Sequence, residues 1–256
     1  MPISENFPYQ RIVDDLQDDI LSGRRAPGDR VPSENELAAQ YHTSRPAVRR
    51  ALAVLKASGM IITEQGRGAF VRPKPQVQLL VTGSNYRRHR AAGLPGFNAQ
   101  ALEQGQRPRQ VIREVSRIGA PAEVAARLQV DEGVPVIVRR RIFLLEGLPA
   151  SLTDSYYPAD MAAGTAIEKP ERIKGGVYAL IEDPDGPIRR QVARSTDDIT
   201  GRMPTPDEAR ELGLPPGVPV FRVLRTVYDT EGRPLEVQDS LAAADRHQFR
   251  YEVEMR

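Results

Sequence analysis

The side chains best suited to chemistry in this sequence are a few arginines set among small polar residues and glycines. Arg45 and Arg49 stand four apart behind Ser44. On a helix, at 100° per residue, they fall within about 40° of each other. Guanidinium groups in that array pair with phosphates or fork onto guanine O6/N7, and Ala47 between them can meet a thymine methyl. Arg67 projects from Gln65-Gly66-Arg67-Gly68, whose glycines permit close backbone approach to a phosphate or a minor groove. Further along, Arg139 and Arg141 are two apart, hence on one face of a strand. Such a pair can hold a carboxylate or phosphate. Asp154 and Glu236 can accept from a ligand hydroxyl or amine, and Tyr178 can stack or donate. The competing reading is that Arg141 and Arg225 salt-bridge, for example to Asp154 and Asp239. Catalytic groupings are missing. The chain has no cysteine and three histidines (His42, His89, His247), none at metal-ligand spacing. Asp197 and Asp198 are adjacent, so on a strand they point to opposite faces. No catalytic residue, metal or cofactor is expected.

Three predicted helices and a hairpin position the first set. Ile12, Leu16 and Ile20, with Val13 and Leu21 beside them, make an apolar stripe for a helix over 9–22, stopped by Gly23. Ser33-x-x-Glu36 is a capping box opening a short second helix, in which Leu37, Ala38 and Tyr41 face inward. Ser44 is placed to cap the third helix, with Pro46 in its first turn and Val48, Ala51 and Leu55 as its core stripe. Ile61-Ile62-Thr63 and Phe70-Val71 read as strands joined by the glycine-rich tip. Two helices, the second basic at its start, followed by a hairpin, is the layout of a winged helix-turn-helix that puts a helix into the major groove.

The stretch from Pro8 to Pro73 resembles the DNA-binding domain of the GntR family of bacterial transcription regulators. The matching residues are Gly28-Asp29-Arg30-Val31-Pro32-Ser33-Glu34, then Ser44-Arg45 with Val48-Arg49, then Gln65-Gly66-Arg67-Gly68 with Phe70-Val71. The resemblance implies operator contacts from Ser44, Arg45, Arg49, Gly66 and Arg67, with Ser33, Asn35, Ala47 and Gln65 beside them. Asn35 stands where the family usually has arginine, and Pro46-Ala47 replaces a usual Thr-Thr pair. An operator other than the family's commonest is therefore expected.

The back half contains a duplication. Gly133-Val134-Pro135-Val136 recurs as Gly217-Val218-Pro219-Val220, and Arg141 matches Arg225. With one residue inserted, Glu146-Gly147-x-Pro149 matches Glu231-Gly232-x-Pro234, and Asp154-Ser155 matches Asp239-Ser240. Each copy reads helix, turn, long strand, hairpin, long strand. A short helix is predicted over 175–181, and strands over 110–118 and 188–199. This half resembles the effector-binding (UTRA) domain of the HutC subfamily, which shares its fold with chorismate lyase. That implies a small ligand bound between the copies, at Arg139, Arg141, Asp154, Tyr178 and Glu236, and a homodimer. Gly96, Gly176 and Ala242 stand where sensors of amino-sugar phosphates carry serines and a tyrosine, which argues against a sugar-phosphate ligand.

Length and charge agree with two modest domains. Residues 1–95 hold 14 Lys/Arg against 9 Asp/Glu, and the remainder 22 against 25, so the front half is the one suited to a polyanion. The expected organisation is α+β. A winged helix-turn-helix covers 1–75, a linker 76–95 and a duplicated antiparallel-sheet domain 96–256. The linker contains the basic run Tyr86-Arg87-Arg88-His89-Arg90, read as a solvated tether, and a possible short strand over 76–81. No apolar run approaches the ~20 residues that span a bilayer, and Met1-Pro2-Ile3-Ser4-Glu5 lacks a leader pattern. A cytoplasmic, ligand-responsive repressor of double-stranded operator DNA is the leading expectation. An architectural regulator whose back domain only dimerises, and an enzyme on the lyase fold, are the alternatives.

Overall fold

In the computed structural model, which describes residues 7–73, 79–82 and 96–251, the chain divides into two units. These are Met1–Gln76 with Leu214–Val218, and Val77–Gly213 with Pro219–Arg256. The basic run at 86–90 and residues 76–78 of the predicted linker strand lie outside the described residues.

The first unit packs three helices under a hairpin. Helix α1 (Pro8–Leu21) buries Ile12 and Leu16. Leu21, expected beside that stripe, is 68% exposed. Nine residues past Ile12, it has turned half a circle from the core. Helix α2 (Glu34–Gln40) carries the predicted capping box, with the Glu36 amide donating to Ser33 Oγ at 3.3 Å and the Ser33 amide to Glu36 Oε2 at 2.7 Å. Helix α3 (Arg45–Ala57) buries Val48, Ala51 and Leu55. These close on Ile12, Leu16, Leu37 and Ile61 as one core. Strands β1 (Ile61–Glu64) and β2 (Gly68–Val71) pair antiparallel, Ile61 opposite Val71. Arg30 bridges to Phe70 along the other side of β2.

The second unit begins with β3 (Leu79–Thr82) and helix α4 (Gly96–Glu103). There follow β4 (Pro108–Gly119), α5 (Ala122–Leu128), β5 (Pro135–Leu145) and β6 (Leu148–Pro158). Two short helices, α6 (Ala159–Ala162) and α7 (Val177–Glu182), lead to β7 (Val192–Arg202). This strand starts later than predicted, because Arg189 adopts a positive φ of 55° that breaks extension. Helix α8 (Pro206–Glu211) and strands β8 (Val220–Asp229), β9 (Pro234–Ala243) and β10 (His247–Arg250) complete it.

The sheet order β4-β5-β6-β9-β8-β7 makes the duplication visible. Helix, strand and strand of each copy correspond, and the copies meet at the antiparallel β6–β9 pair, where Asp154 faces Asp239. Glu146 and Gly147, both at positive φ, make the two-residue turn of the first hairpin. The inserted residue lengthens the second turn, which the Asp229 carboxylate holds by accepting from the amides of Glu231 and Arg233. Both hairpins carry a bulge, at Ala150 and at Leu235. On one face of the sheet α5 packs Val124, Ala125 and Leu128 against Val136, Val138 and Tyr156. On the other, the segment from α6 to α7 packs Ile167 and Ile181 against Ile137 and Tyr157. Strands β3 and β10 form a separate parallel pair. The Gln104 side chain acts as a further strand edge for β3, donating to the Leu80 carbonyl and accepting from its amide, each at 2.9 Å.

Candidate nucleic-acid interface and ligand cleft

The start of α3 is exposed, and Ser44, Arg45 and Arg49 are all on its surface. Ser44 stands at the N-cap, but its hydroxyl makes no capping hydrogen bond. A cap accepts from the second or third helical amide. The second position is Pro46, which has none, so half of the capping geometry is gone. The hydroxyl is left facing solvent. Arg45 holds no ion pair among the described residues. Arg49 is less free than its spacing suggests, since its Nε donates to Glu34 Oε2 at 2.9 Å across α2 and α3. With Arg49 65% exposed, that contact contributes at most about 1 kcal/mol, so a phosphate can displace it. The neighbouring Arg50 stacks over the Tyr9 ring at 4.1 Å.

At the wing, Gln65, Gly66 and Arg67 are exposed, and Gly66 takes a φ of 77° that favours glycine. Arg67 pairs with Glu64 and lies 5.4 Å from the Phe70 ring. Asn35 is exposed on α2, while Ser33 and Ala47 are half-buried. Arg30 was not singled out by spacing, yet its guanidinium reaches the wing, with Nε 3.5 Å from the site of a Gly68 Cβ. Its one sequence signal was its place in the Gly28–Glu34 run.

The second unit contains a cleft of about 470 Å³ beneath the sheet face that α7 covers. Arg139, Arg141, Tyr178 and Glu236 all line it, together with Tyr157 and Gln238, so both copies contribute. Gly96, Gly176 and Ala242 line it too. Phe97 and Phe143 form one wall, their ring centroids 4.6 Å apart.

Asp154 is not part of this cleft. It lies on the opposite sheet face, in a charged groove with Arg140, Arg222 and Asp239. An unbulged two-residue hairpin pairing Leu145 with Leu148 would have set Asp154 across from Arg139. The extra residue Ala150 shifts the register, so that Arg139 faces Ser155 and Arg140 faces Asp154. Arg140 Nε then donates to Asp154 Oδ2 at 3.3 Å. Burial nevertheless raises the Asp154 pKa, against the pull of Arg140.

The arginines of the cleft divide by role. Arg139, 2% exposed, donates through Nη1 to the carbonyls of Ile167 at 2.7 Å and Lys169 at 2.6 Å, and through Nη2 to Glu171 at 3.0 Å. It fastens the covering segment with three of its five N–H donors. Arg225 makes a bidentate pair with Asp197, at 2.7 and 2.6 Å. Its duplicate Arg141 has no such acid. The residue opposite Arg141 on β4 is Ile112, where β7 offers Asp197. Arg141 leans on the Ser155 hydroxyl, and its Nε is buried without a hydrogen-bond partner. The pairings of Arg141 with Asp154 and of Arg225 with Asp239, considered from sequence, do not form. Asp239 instead accepts from Arg222.

Glu236, 2% exposed, accepts from Tyr157 Oη at 2.7 Å and from Tyr178 Oη at 2.5 Å. Burial, reinforced by Glu236, raises the Tyr157 pKa well above the ordinary phenol value, so Tyr157 stays a donor. His247 also lines the cleft, and burial pulls its pKa down to about 4. Its ring is therefore neutral at pH 7. Tyr157 and His247 were not marked by sequence spacing. Tyr157 was legible only through the alternation that the bulge reverses.

Comparison with known proteins places both units. The family profile described as bacterial regulatory proteins, gntR family, matches residues 8–71, and that of the UTRA domain matches 103–248. An HTH-type transcriptional regulator of Rhizobium meliloti is 30% identical over 96% of this chain and 94% of its own length. The HTH-type transcriptional repressor NagR of Bacillus subtilis is 27% identical over 97% of each chain. The crystal structure of PhnF from Mycobacterium smegmatis superposes with a TM-score of 0.59 at 25% identity, over 95% of this chain and 100% of that one.

Proposed function

The chain belongs to the gntR family of bacterial regulatory proteins that carry a UTRA domain, and from this we propose that it is a cytoplasmic, homodimeric repressor whose grip on operator DNA is changed by an anionic small molecule. One observation carries the reading: an exposed, arginine-led helix and a second unit with an unmatched cleft arginine occur in the same chain. The working domains are 1–75 for DNA, 76–95 as linker and 96–256 for effector and dimer. Arg45 and Arg49, with Ser44 and Ala47, are the groups for the major groove. Gln65, Gly66 and Arg67 serve the adjacent backbone or minor groove, with Ser33 and Asn35 flanking.

Arg141 is the seat for the effector's anion, since a guanidinium that faces the cleft with no carboxylate paired to it among the described residues gains most from a ligand that brings one. Arg139 supports the cleft rather than the ligand. A dimer presents two recognition helices to the half-sites of a palindrome. Val81 gives a covalent route for coupling, because it lines the cleft from β3, the first strand after the wing. Linkage between two sites of about 1–3 kcal/mol, roughly 5–150-fold in affinity, is typical of allosteric coupling.

The test is selection of bound fragments from genomic DNA by the purified chain, followed by titration of organic anions into the complex. A recovered palindrome, released by one class of anion, supports the reading. Retention of no sequence above random competitor removes specific regulation. A recovered operator that no anion releases favours the ligand-independent alternative.

A further inference from the structure

We propose that the ligand of this cleft carries a protonated amine as well as its anion, with the ammonium group seated on the Glu236 carboxylate. This rests on the reading of Arg141 as the anion seat.

Glu236 is a buried acid with no ion-pair partner among the described residues. Its two oxygens each accept one phenol hydrogen bond, from Tyr157 and from Tyr178. A carboxylate offers about four acceptor sites, so roughly half remain open. The other well-buried acid of the sheet is handled differently. Asp229, 3% exposed, has Arg233 at 3.1 Å and Arg190 at 3.5 Å. On the opposite face Asp154 has Arg140, and Asp239 has Arg222. A charge taken out of water without a partner is costly, and removal of a partner from a buried pair is strongly unfavourable. Glu236 borders an open cleft, so a ligand can supply the missing charge.

The two seats are close. Ser155, which holds Arg141, and Tyr157, which holds Glu236, are two residues apart on the same face of β6. That spacing is about 7 Å. A ligand with an ammonium group and an acid separated by a few bonds reaches both. Tyr157 and Tyr178 fix the carboxylate by donating to it, which leaves its open sites to donors such as an ammonium group.

The experiment uses the purified full-length chain, calorimetry and thermal unfolding. The probes are matched pairs with and without the amine: 4-aminobutyrate and butyrate, 6-aminohexanoate and hexanoate, phosphoethanolamine and ethyl phosphate. The amine-bearing member should bind about tenfold or more tightly than its partner in at least one pair. Glu236→Gln should erase that preference, bringing the two members of each pair to equal affinity. Arg141→Ala should weaken both members. Glu236→Asp, which keeps the charge, should retain part of the preference and guards against a simple folding failure.

Equal binding of paired members by the parent chain overturns the proposal, as does equal weakening of both by Glu236→Gln. If no anion of the panel binds, the anion reading falls and this one with it. If anions bind without preference for the amine, only the present proposal falls.

Discussion

His247 makes the stability of the second unit depend on pH in a calculable way. The ring is 5% exposed at the start of β10, where Nδ1–H donates to the Ala243 carbonyl at 3.1 Å. Burial, aided by Arg246, lowers its pKa from 6.5 to about 4, while the Ala243 hydrogen bond and Asp245 oppose the shift. The folded state therefore prefers the neutral ring. Below pH 6.5 the unfolded chain takes up a proton that the folded chain refuses, so stability falls as pH drops from 6.5 towards 4. The full shift corresponds to about 3 kcal/mol, of which about 2 kcal/mol is lost by pH 5. Replacing His247 by Asn keeps a donor near Nδ1 but removes the titration. Urea unfolding of the full-length parent and variant at pH 8, 7, 6 and 5 tests this. Hydrogen exchange at the β8–β10 amides serves to isolate the second unit. Other groups titrate alike in both chains and cancel in the comparison. The parent should lose about 2 kcal/mol more than His247→Asn between pH 8 and pH 5. Parallel losses in the two chains would show that the ring is hydrated or already charged in the fold.

Other outcomes follow from the same geometry. Arg45→Ala and Arg49→Ala should each weaken DNA binding in titrations at several salt concentrations. A lost base contact costs about 1–3 kcal/mol and relaxes specificity, whereas a lost phosphate contact lowers the salt slope by about one. If both variants bind like the parent, α3 is not the helix in the groove. Arg139→Met should lower unfolding free energy by about 3 kcal/mol, because the buried Ile167 carbonyl and the part-buried carbonyls of Lys169 and Glu171 lose their donor. A change below about 1 kcal/mol in urea would mean that water replaces the guanidinium. Asp154→Asn should leave anion binding in the cleft unchanged by calorimetry, and a marked loss would place Asp154 back among the ligand contacts.

Sequence by itself determined the first unit almost completely, along with the architecture of the second. Helix stripes, the Ser33–Glu36 box and the glycine-tipped hairpin are local signals, set by residues three or four apart. The duplication was equally plain, because two copies of one hairpin carry their turn residues at matching offsets. What the tertiary structure alone decided is which side chains share a space. A single bulged residue, Ala150, sends Asp154 to the far face and puts Arg139 opposite Ser155. Side-chain parity along a strand survives any distance until one residue is inserted, and then every later side chain changes face. The partners of Arg139, Arg141 and Arg225 were hidden for a similar reason. Each depends on a neighbouring strand or covering segment remote in sequence, so the difference between a clamp, an open seat and a closed ion pair arises only once the sheet has formed.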